Sequence, residues 1–297
     1  EALKSDAYPI HGDTNLLKHI EWGVGDVEQG FQESDLVLED TYETHVVQHM
    51  PMETHTYTGE YDTHSGRLTI CTSTQGVHNI RILLGKILSM PLTRIRVIKP
   101  FTGGSFGGKN DLFDEIIVAL MAMETRSPVR LSLTRWEEFV GTRTRHANRF
   151  YLKLGFKSDG LLHARDLRAY LNAGGYSASS PKVAMTTGHR WMMLYRTPHV
   201  RYEGIASYTN FPVAGAFRGF GTPQQTFAME LLMDRAAEAL GMDALDLRLK
   251  NHVRVGDYDE MSKITIGSSG MGDCVQRGAE AVGWSEKRGQ KIKNGTK

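Results

Sequence analysis

The chain has 297 residues, 40% of them hydrophobic, with 35 basic and 34 acidic side chains and a formal net charge of +1. That supports a packed core of roughly one to two domains, and the balanced charge lacks the basic stripe of a dedicated nucleic-acid binder. No run approaches the about 18 to 20 apolar residues of a membrane span and no signal peptide opens the sequence, so neither membrane nor nucleic acid is an expected partner.

Residues 1–24 show little periodicity and read as a linker-like lead-in. "GDVEQGFQESD" predicts a short helix capped by Asp26. "LVLEDTYETHVVQH", "THTYTGEYD" and "RLTICTS" alternate and are rich in β-branched and aromatic residues, which predicts strands, with a turn at Thr63–Gly66. Ile80, Leu83, Leu84, Ile87 and Leu88 fall at helical spacing, and "RIRVIKP" is a strand running into a glycine-rich loop. After that loop, Leu112, Phe113, Ile116, Ile117, Leu120 and Met121 predict a second helix, buried on most sides because few polar residues interrupt it. "VRLSLT" and "RFYLKLGF" return to strand, and "KSDG" turns the chain into "LLHARDLRAYLNAGG". A third helix opens at Thr222–Pro223, with Phe227, Leu231, Ala236 and Leu240 as its expected buried stripe, and Asp243 caps a shorter one. The pattern predicts an α+β fold of mixed sheets and packed helices. It divides into the lead-in 1–24, a main domain 25–257 and a C-terminal helical segment with tail, 258–297. The two cysteines, Cys71 and Cys274, are too few for a disulfide framework, a zinc site or an iron–sulfur cage and read as buried thiols in a cytoplasmic protein. A start at Glu1 without methionine and the polar ending "EKRGQKIKNGTK" suggest a piece of a longer polypeptide.

The loop "KPFTGGSFGGKND" fits the first part of a phosphate-binding motif over Gly103–Lys109. That motif needs a Ser or Thr hydroxyl directly after the lysine for Mg²⁺, and Asn110 stands there instead. The nucleotide reading fails. Gly103, Gly104, Gly107 and Gly108 still allow positive φ and close backbone approach, so that successive N–H groups can face an anionic ligand, helped by the N-terminus of the helix expected next. Phe106, between them, reads as a wall over that ligand or an anchor into the core. "GAFRGFGTPQ" repeats the plan with Phe217, Phe220 and, between them, Arg218, suited to a bidentate grip on an anion. "TSTQG" ends a strand with Gln75 at a position that can face a site. The two loops together suggest a large, anionic, partly planar cofactor.

"STQ", "GGSFGGK" and "AFRGFGTPQ", in this order and spacing, resemble the molybdenum-cofactor subunit of the xanthine dehydrogenase and aldehyde oxidase family, and "SPVRLSLTRWEEF", "LNAGGYS" and "DLRLKN" fit the same pattern. The resemblance covers residues 10 to 257 and implies the fold of the family's first molybdopterin-binding half. It implies a molybdopterin cofactor and hydroxylation of carbon with water as oxygen source. By that resemblance Gln75 is the glutamine that hydrogen-bonds an oxygen ligand on molybdenum. Gly104, Ser105, Phe106 and Gly107 line the metal and pterin, with Phe217 and Arg218 on the second loop. Asn110 and Phe220 face the substrate.

Members acting on xanthine carry a glutamate where Asn110 stands, and an arginine that aligns near Thr186. Their absence disfavours xanthine and points to a neutral N-heterocycle, a purine-like compound or an aldehyde. The family's catalytic glutamate lies in a later glycine-rich motif; the one Gly-Glu pair here, Gly59–Glu60, is early and on a predicted strand. No catalytic residue is therefore expected in this chain, which alone would be inactive. The resemblance implies, as partners, the C-terminal half of a molybdenum subunit, either cut away or split onto a second polypeptide. It further implies an iron–sulfur subunit with 2Fe-2S clusters and a flavin subunit with FAD.

Two other readings compete. "THVVQHMPMETH" places His45, His49, Glu53 and His55 close enough to suggest a protein-ligated zinc or iron. The fold could alternatively serve as a non-catalytic scaffold or assembly subunit.

Overall fold

The computed structural model describes residues 1–260 and 262–288; the part of the expected tail from Gly289 onward lies outside the described residues. β1 (Leu16–Val24) leads to α1 (Val27–Gln32), where the Asp26 carboxylate accepts from the amides of Glu28 and Gln29 at 3.0 Å as an N-cap should. β2 (Leu36–Thr44), β3 (Val47–Gln48), β4 (Thr56–Asp62) and β5 (Arg67–Thr72) follow, then α2 (Val77–Ile87) and β6 (Ile95–Ile98). Next come α3 (Glu115–Thr125), β7 (Val129–Ser132), α4 (Arg135–Gly141), β8 (Thr144–Arg145), β9 (Asn148–Phe156) and β10 (Leu162–Gly174). The rest runs α5 (Ser180–Met193), β11 (His199–Tyr208), α6 (Thr222–Leu240), α7 (Ala244–Asn251), β12 (Tyr258–Asp259), β13 (Ile264–Thr265), α8 (Met271–Val282) and α9 (Trp284–Lys287).

The larger sheet has five strands in the order β1-β11-β10-β9-β2, and the smaller has four in the order β6-β5-β4-β7. Both are mixed, in line with the expected α+β fold of mixed sheets. The parallel pairs, β10 with β11 and β5 with β6, are each joined through a helix, α5 and α2. Alternate residues of β9 and β10 (Phe150, Leu152 and Leu154, then Leu167, Ala169 and Leu171) pack with α5, α6 and α7 in the main core. Tyr57, Leu68 and Ile70 form the second core with Ile80 and Leu84 of α2 and Val118 and Ala119 of α3.

Several expectations need correction. Part of the supposed lead-in, Leu16–Val24, is an edge strand paired antiparallel with β11. α3 starts at Glu115 rather than Leu112, because the buried Glu115 carboxylate accepts the amide of Phe113 at 2.8 Å and the Thr72 hydroxyl at 2.9 Å. Burial raises the Glu115 carboxyl above its usual range, the hydrogen bonds opposing it. Nor is α3 buried on most sides: small Ala119 and Ala122 bring one face onto the sheet, while Ile117, Leu120 and Met121 are exposed. On α6 the buried face is Gln225, Ala228, Met229, Leu232, Met233 and Ala236, while the expected Phe227 and Leu231 are exposed. The alanines let α6 approach the sheet more closely than the larger side chains could. Cys71 is half-buried and Cys274 exposed. Among the described residues no helix is long and apolar enough to cross a membrane.

One buried charge positions α5. Arg165 on β10 is fully buried and donates to the carbonyls of Trp191, Met192 and Tyr195 at 2.7, 3.1 and 2.9 Å. It thereby satisfies the C-terminal carbonyls of α5, where the helix dipole favours a cation, although burial pushes its pKa down to about 9.

Candidate cofactor site between two glycine loops

The first loop, residues 99–111, hangs from β6 of the smaller sheet, and the second, residues 215–221, leads into α6 above the larger sheet. They touch. The Arg218 amide donates to the Phe106 carbonyl at 2.8 Å. A Cβ on Gly107 would lie 2.6 Å from the Ala216 oxygen, so only glycine permits this approach. Gln75, just beyond the end of β5, accepts the Gly107 N–H on its Oε1 at 2.9 Å, while its backbone N–H donates to the Lys109 carbonyl at 2.8 Å. Gln75, Phe106, Gly107 and Arg218, predicted separately from three stretches, thus form one junction.

The backbone there is unusual. Phe106 and Phe220 are non-glycine residues with φ near +50°, and Gly104 and Gly107 have φ of +96° and +104°. Such conformations cluster at ligand sites, where the surroundings hold them in place. The N–H groups of Gly104, Ser105 and Phe106 donate to nothing among the described residues. The exposed Arg218 guanidinium likewise makes no ion pair or hydrogen bond there. Gln75 Oε1 is occupied, and its side-chain Nε2 donates to nothing among the described residues. A run of free backbone donors, an unpaired guanidinium and an oriented amide donor suit an anionic group.

The glycine loop does not open a helix, since α3 begins only at Glu115, so the helix field expected there is absent; α6, capped by Gly221, does open at the second loop. The Lys109 ammonium is fully buried and paired with Glu53 at 3.1 Å, which removes the last resemblance to a nucleotide loop. Asn110, the residue after Lys109, is half-buried, and the half-buried Phe217 ring is stacked with the His49 ring at 4.1 Å and has the Arg145 guanidinium 3.9 Å from its centroid. Phe220 packs in part against the main core. Thr186 lies on α5 beside Thr187, whose side chain abuts Gly221.

Sequence reasoning missed the clamps under the loops. Glu53 Oε2 accepts from both Lys109 and the Gly103 amide, at 3.1 and 2.6 Å. His55, buried, donates from Nδ1 to Glu138 at 2.9 Å and turns Nε2 toward the Gly108 carbonyl at 3.3 Å. Burial alone would raise Glu138, but the His55 hydrogen bonds outweigh it and hold the carboxyl below its usual range. His49 directs Nε2 to the Ala216 carbonyl at 2.7 Å, and burial holds it below the usual imidazole range. Arg145 donates to the Arg218 carbonyl at 2.7 Å and to Gln224 at 3.1 Å. The cluster "THVVQHMPMETH" was the available signal, but for these clamps: His49 bonds the second loop, Glu53 the first, and His55 both α4 and the first loop. Among the described residues they do not gather as a metal-holding group. Glu33, His163 and His199 do lie together. There, however, His199 Nδ1 accepts the Asp26 amide at 3.0 Å, which puts the ring proton on Nε2 and makes it a poor ligand. Gly59 is a contact residue, its absent Cβ leaving room for the Val118 carbonyl of α3.

Residues 10–252 match the molybdopterin cofactor-binding domain family. The chain belongs to this family. It is 38% identical over 290 residues to the xanthine dehydrogenase molybdenum-binding subunit of Escherichia coli O157:H7, covering 97% of this chain and 38% of the relative. It is 37% identical over 281 residues to the nicotinate dehydrogenase large molybdopterin subunit of Eubacterium barkeri, covering 94% of this chain and 65% of that one. Among solved structures, the aldehyde oxidoreductase of Desulfovibrio gigas superposes with a TM-score of 0.91 at 27% identity, over 98% of this chain and 32% of the other. Quinoline 2-oxidoreductase of Pseudomonas putida 86 gives 0.86 at 26%, over 93% and 36%. The chain therefore spans 32% to 65% of the length of these four relatives.

Proposed function

We propose that this chain supplies one wall of a molybdenum hydroxylase site, holding molybdopterin between the two glycine loops. The contact of Phe106 and Gly107 with Ala216 and Arg218 carries this reading, because it gathers the free donors in one place. When bound, the cofactor supplies the two-electron chemistry that hydroxylates carbon with water as oxygen donor. The N–H groups of Gly104, Ser105 and Phe106, with Phe217 and Arg218, hold the anionic group, and the Nε2 of Gln75 donates at its oxygen side. Asn110 and Phe220 meet the substrate. The proton-accepting glutamate comes from outside residues 1–297, and electrons leave through iron–sulfur and flavin partners in the cytoplasm.

A neutral N-heterocycle is the preferred substrate class, ahead of purine-like compounds and aldehydes, since Asn110 both donates and accepts but carries no charge. The quinoline relative agrees with that preference, whereas the xanthine dehydrogenase relative, 38% identical, does not share it. The assembly purified through a tag on this chain should oxidise neutral quinoline-type rings in preference to xanthine. Asn110→Glu should shift kcat/KM toward xanthine on the order of tenfold, the worth of one charge-assisted hydrogen bond. Preference for xanthine in the unaltered assembly would refute the assignment.

A further inference from the structure

α4 is polarised the wrong way round for a helix of an isolated domain. Trp136, Phe139 and Val140 fall at i, i+3 and i+4, the spacing of a core-facing stripe. Yet Trp136 is 72% exposed, and Phe139 and Val140 are also exposed. The side turned inward carries Glu138, buried against His55. A capping box at Thr134 and Glu137 starts the helix, and the Glu138–His55 contact fixes its rotation. The outward stripe is thus built in rather than a fraying end.

The stripe does not stand alone. Arg135 donates to the Met52 carbonyl at 2.8 Å, which sets the helix beside Met50, 63% exposed, and Met52, 92% exposed. Glu53, next in sequence, exchanges hydrogen bonds with Gly103 of the first glycine loop at 3.1 and 2.6 Å. On that loop Phe101 is wholly exposed. An apolar strip therefore runs from the cofactor loops along Met52 to α4. Contiguous apolar surface of this kind marks an interaction site.

We propose that this strip is the surface on which the rest of the molybdenum-binding subunit docks, namely the portion of the relatives' chains that residues 1–297 do not match. The inference rests on the function proposed above. The E. coli relative has more than half its length outside the matched region, and the base the site needs is expected there. A segment that covers the glycine loops to complete the site meets Phe101 and Met52 first and α4 next. A second copy of this chain would cover the apolar surface but would bring no such base.

The test replaces Trp136 with a photo-cross-linking residue in the assembly purified through a tag on this chain. Cross-linked peptides are identified by mass spectrometry, and sulfoxide formation at Met52 under mild peroxide is read in the same sample. Cross-links to molybdenum-subunit sequence outside residues 1–297, in the same or a separate polypeptide, with Met52 protected, are the expected result. Cross-links to a second copy, or to the iron–sulfur or flavin polypeptide, would overturn the proposal. So would no cross-link with Met52 freely oxidised. Molybdenum in that sample separates the two ideas: metal present with a bare strip defeats the docking surface alone, and the expected cross-link without metal defeats the cofactor reading alone.

Discussion

Gly107→Val strips the assembly of molybdenum while leaving the domain folded. Gly107 holds φ at +104°, and a Cβ there would sit 2.6 Å from the Ala216 oxygen and 3.0 Å from the Phe217 Cα. These are backbone atoms, so no rotamer change relieves the clash. Conformational strain of about 1–3 kcal/mol and overpacking of about the same size push the loops apart. The loop lies outside both cores, so the cost falls on the junction and not on the sheets. Once Gln75 and Arg218 no longer hold the first loop in place, cofactor affinity should drop on the order of a hundredfold, since each 1.4 kcal/mol is about tenfold. Molybdenum per chain by mass spectrometry, beside circular dichroism, reads both halves of the expectation. Gly241→Ala is the control: φ is also positive, at +65°, but nothing lies within 4 Å. Equal molybdenum in the Gly107 and Gly241 variants would show that the junction between the loops does not hold the cofactor.

The second large effect is on stability. In Glu53→Ala the Lys109 ammonium, fully buried, loses its carboxylate, and the Gly103 amide loses its acceptor. Leaving a buried charge unpaired costs about 3–5 kcal/mol. Glu53 itself is about one-third exposed, so water offsets part of this and a loss of about 3 kcal/mol is expected. Lys109→Met in the same chain removes the charge but keeps the volume, and should restore all but about 1 kcal/mol. Denaturant midpoints of the single and double variants measure this coupling. A double variant no more stable than Glu53→Ala would mean that the pair is not what secures the loop.

What could be read in advance follows from the range over which each signal acts. β4, β5, β9 and α2 were legible because their burial alternates at the period of a single element. α5 was not, since "SPKVAMTTGHRWMM" buries Thr187 and Gly188 beside Val183 and Trp191 and so shows no clean apolar stripe. The exposed faces of α3 and α4 were misleading or silent for the opposite reason: an apolar stripe states that a residue wants a partner, not that this domain supplies it. In the site, Gln75, Phe106 and Arg218 stood out by type and neighbours. Their meeting is a long-range fact, as are Lys109 with Glu53 and His55 with Glu138, whose members lie 56 and 83 positions apart. Arg145, stacked on Phe217, carries no local signal at all.

Whether the two loops hold a molybdenum cofactor is decided by molybdenum and pterin per chain, measured in the assembly purified from its host through a tag on this chain, with the accompanying polypeptides identified. Close to one of each per chain is expected, together with an iron–sulfur partner. Partners present, with the host's cofactor pathway active but no molybdenum or pterin bound, would contradict the cofactor assignment and leave the paired glycine loops as a structural joint.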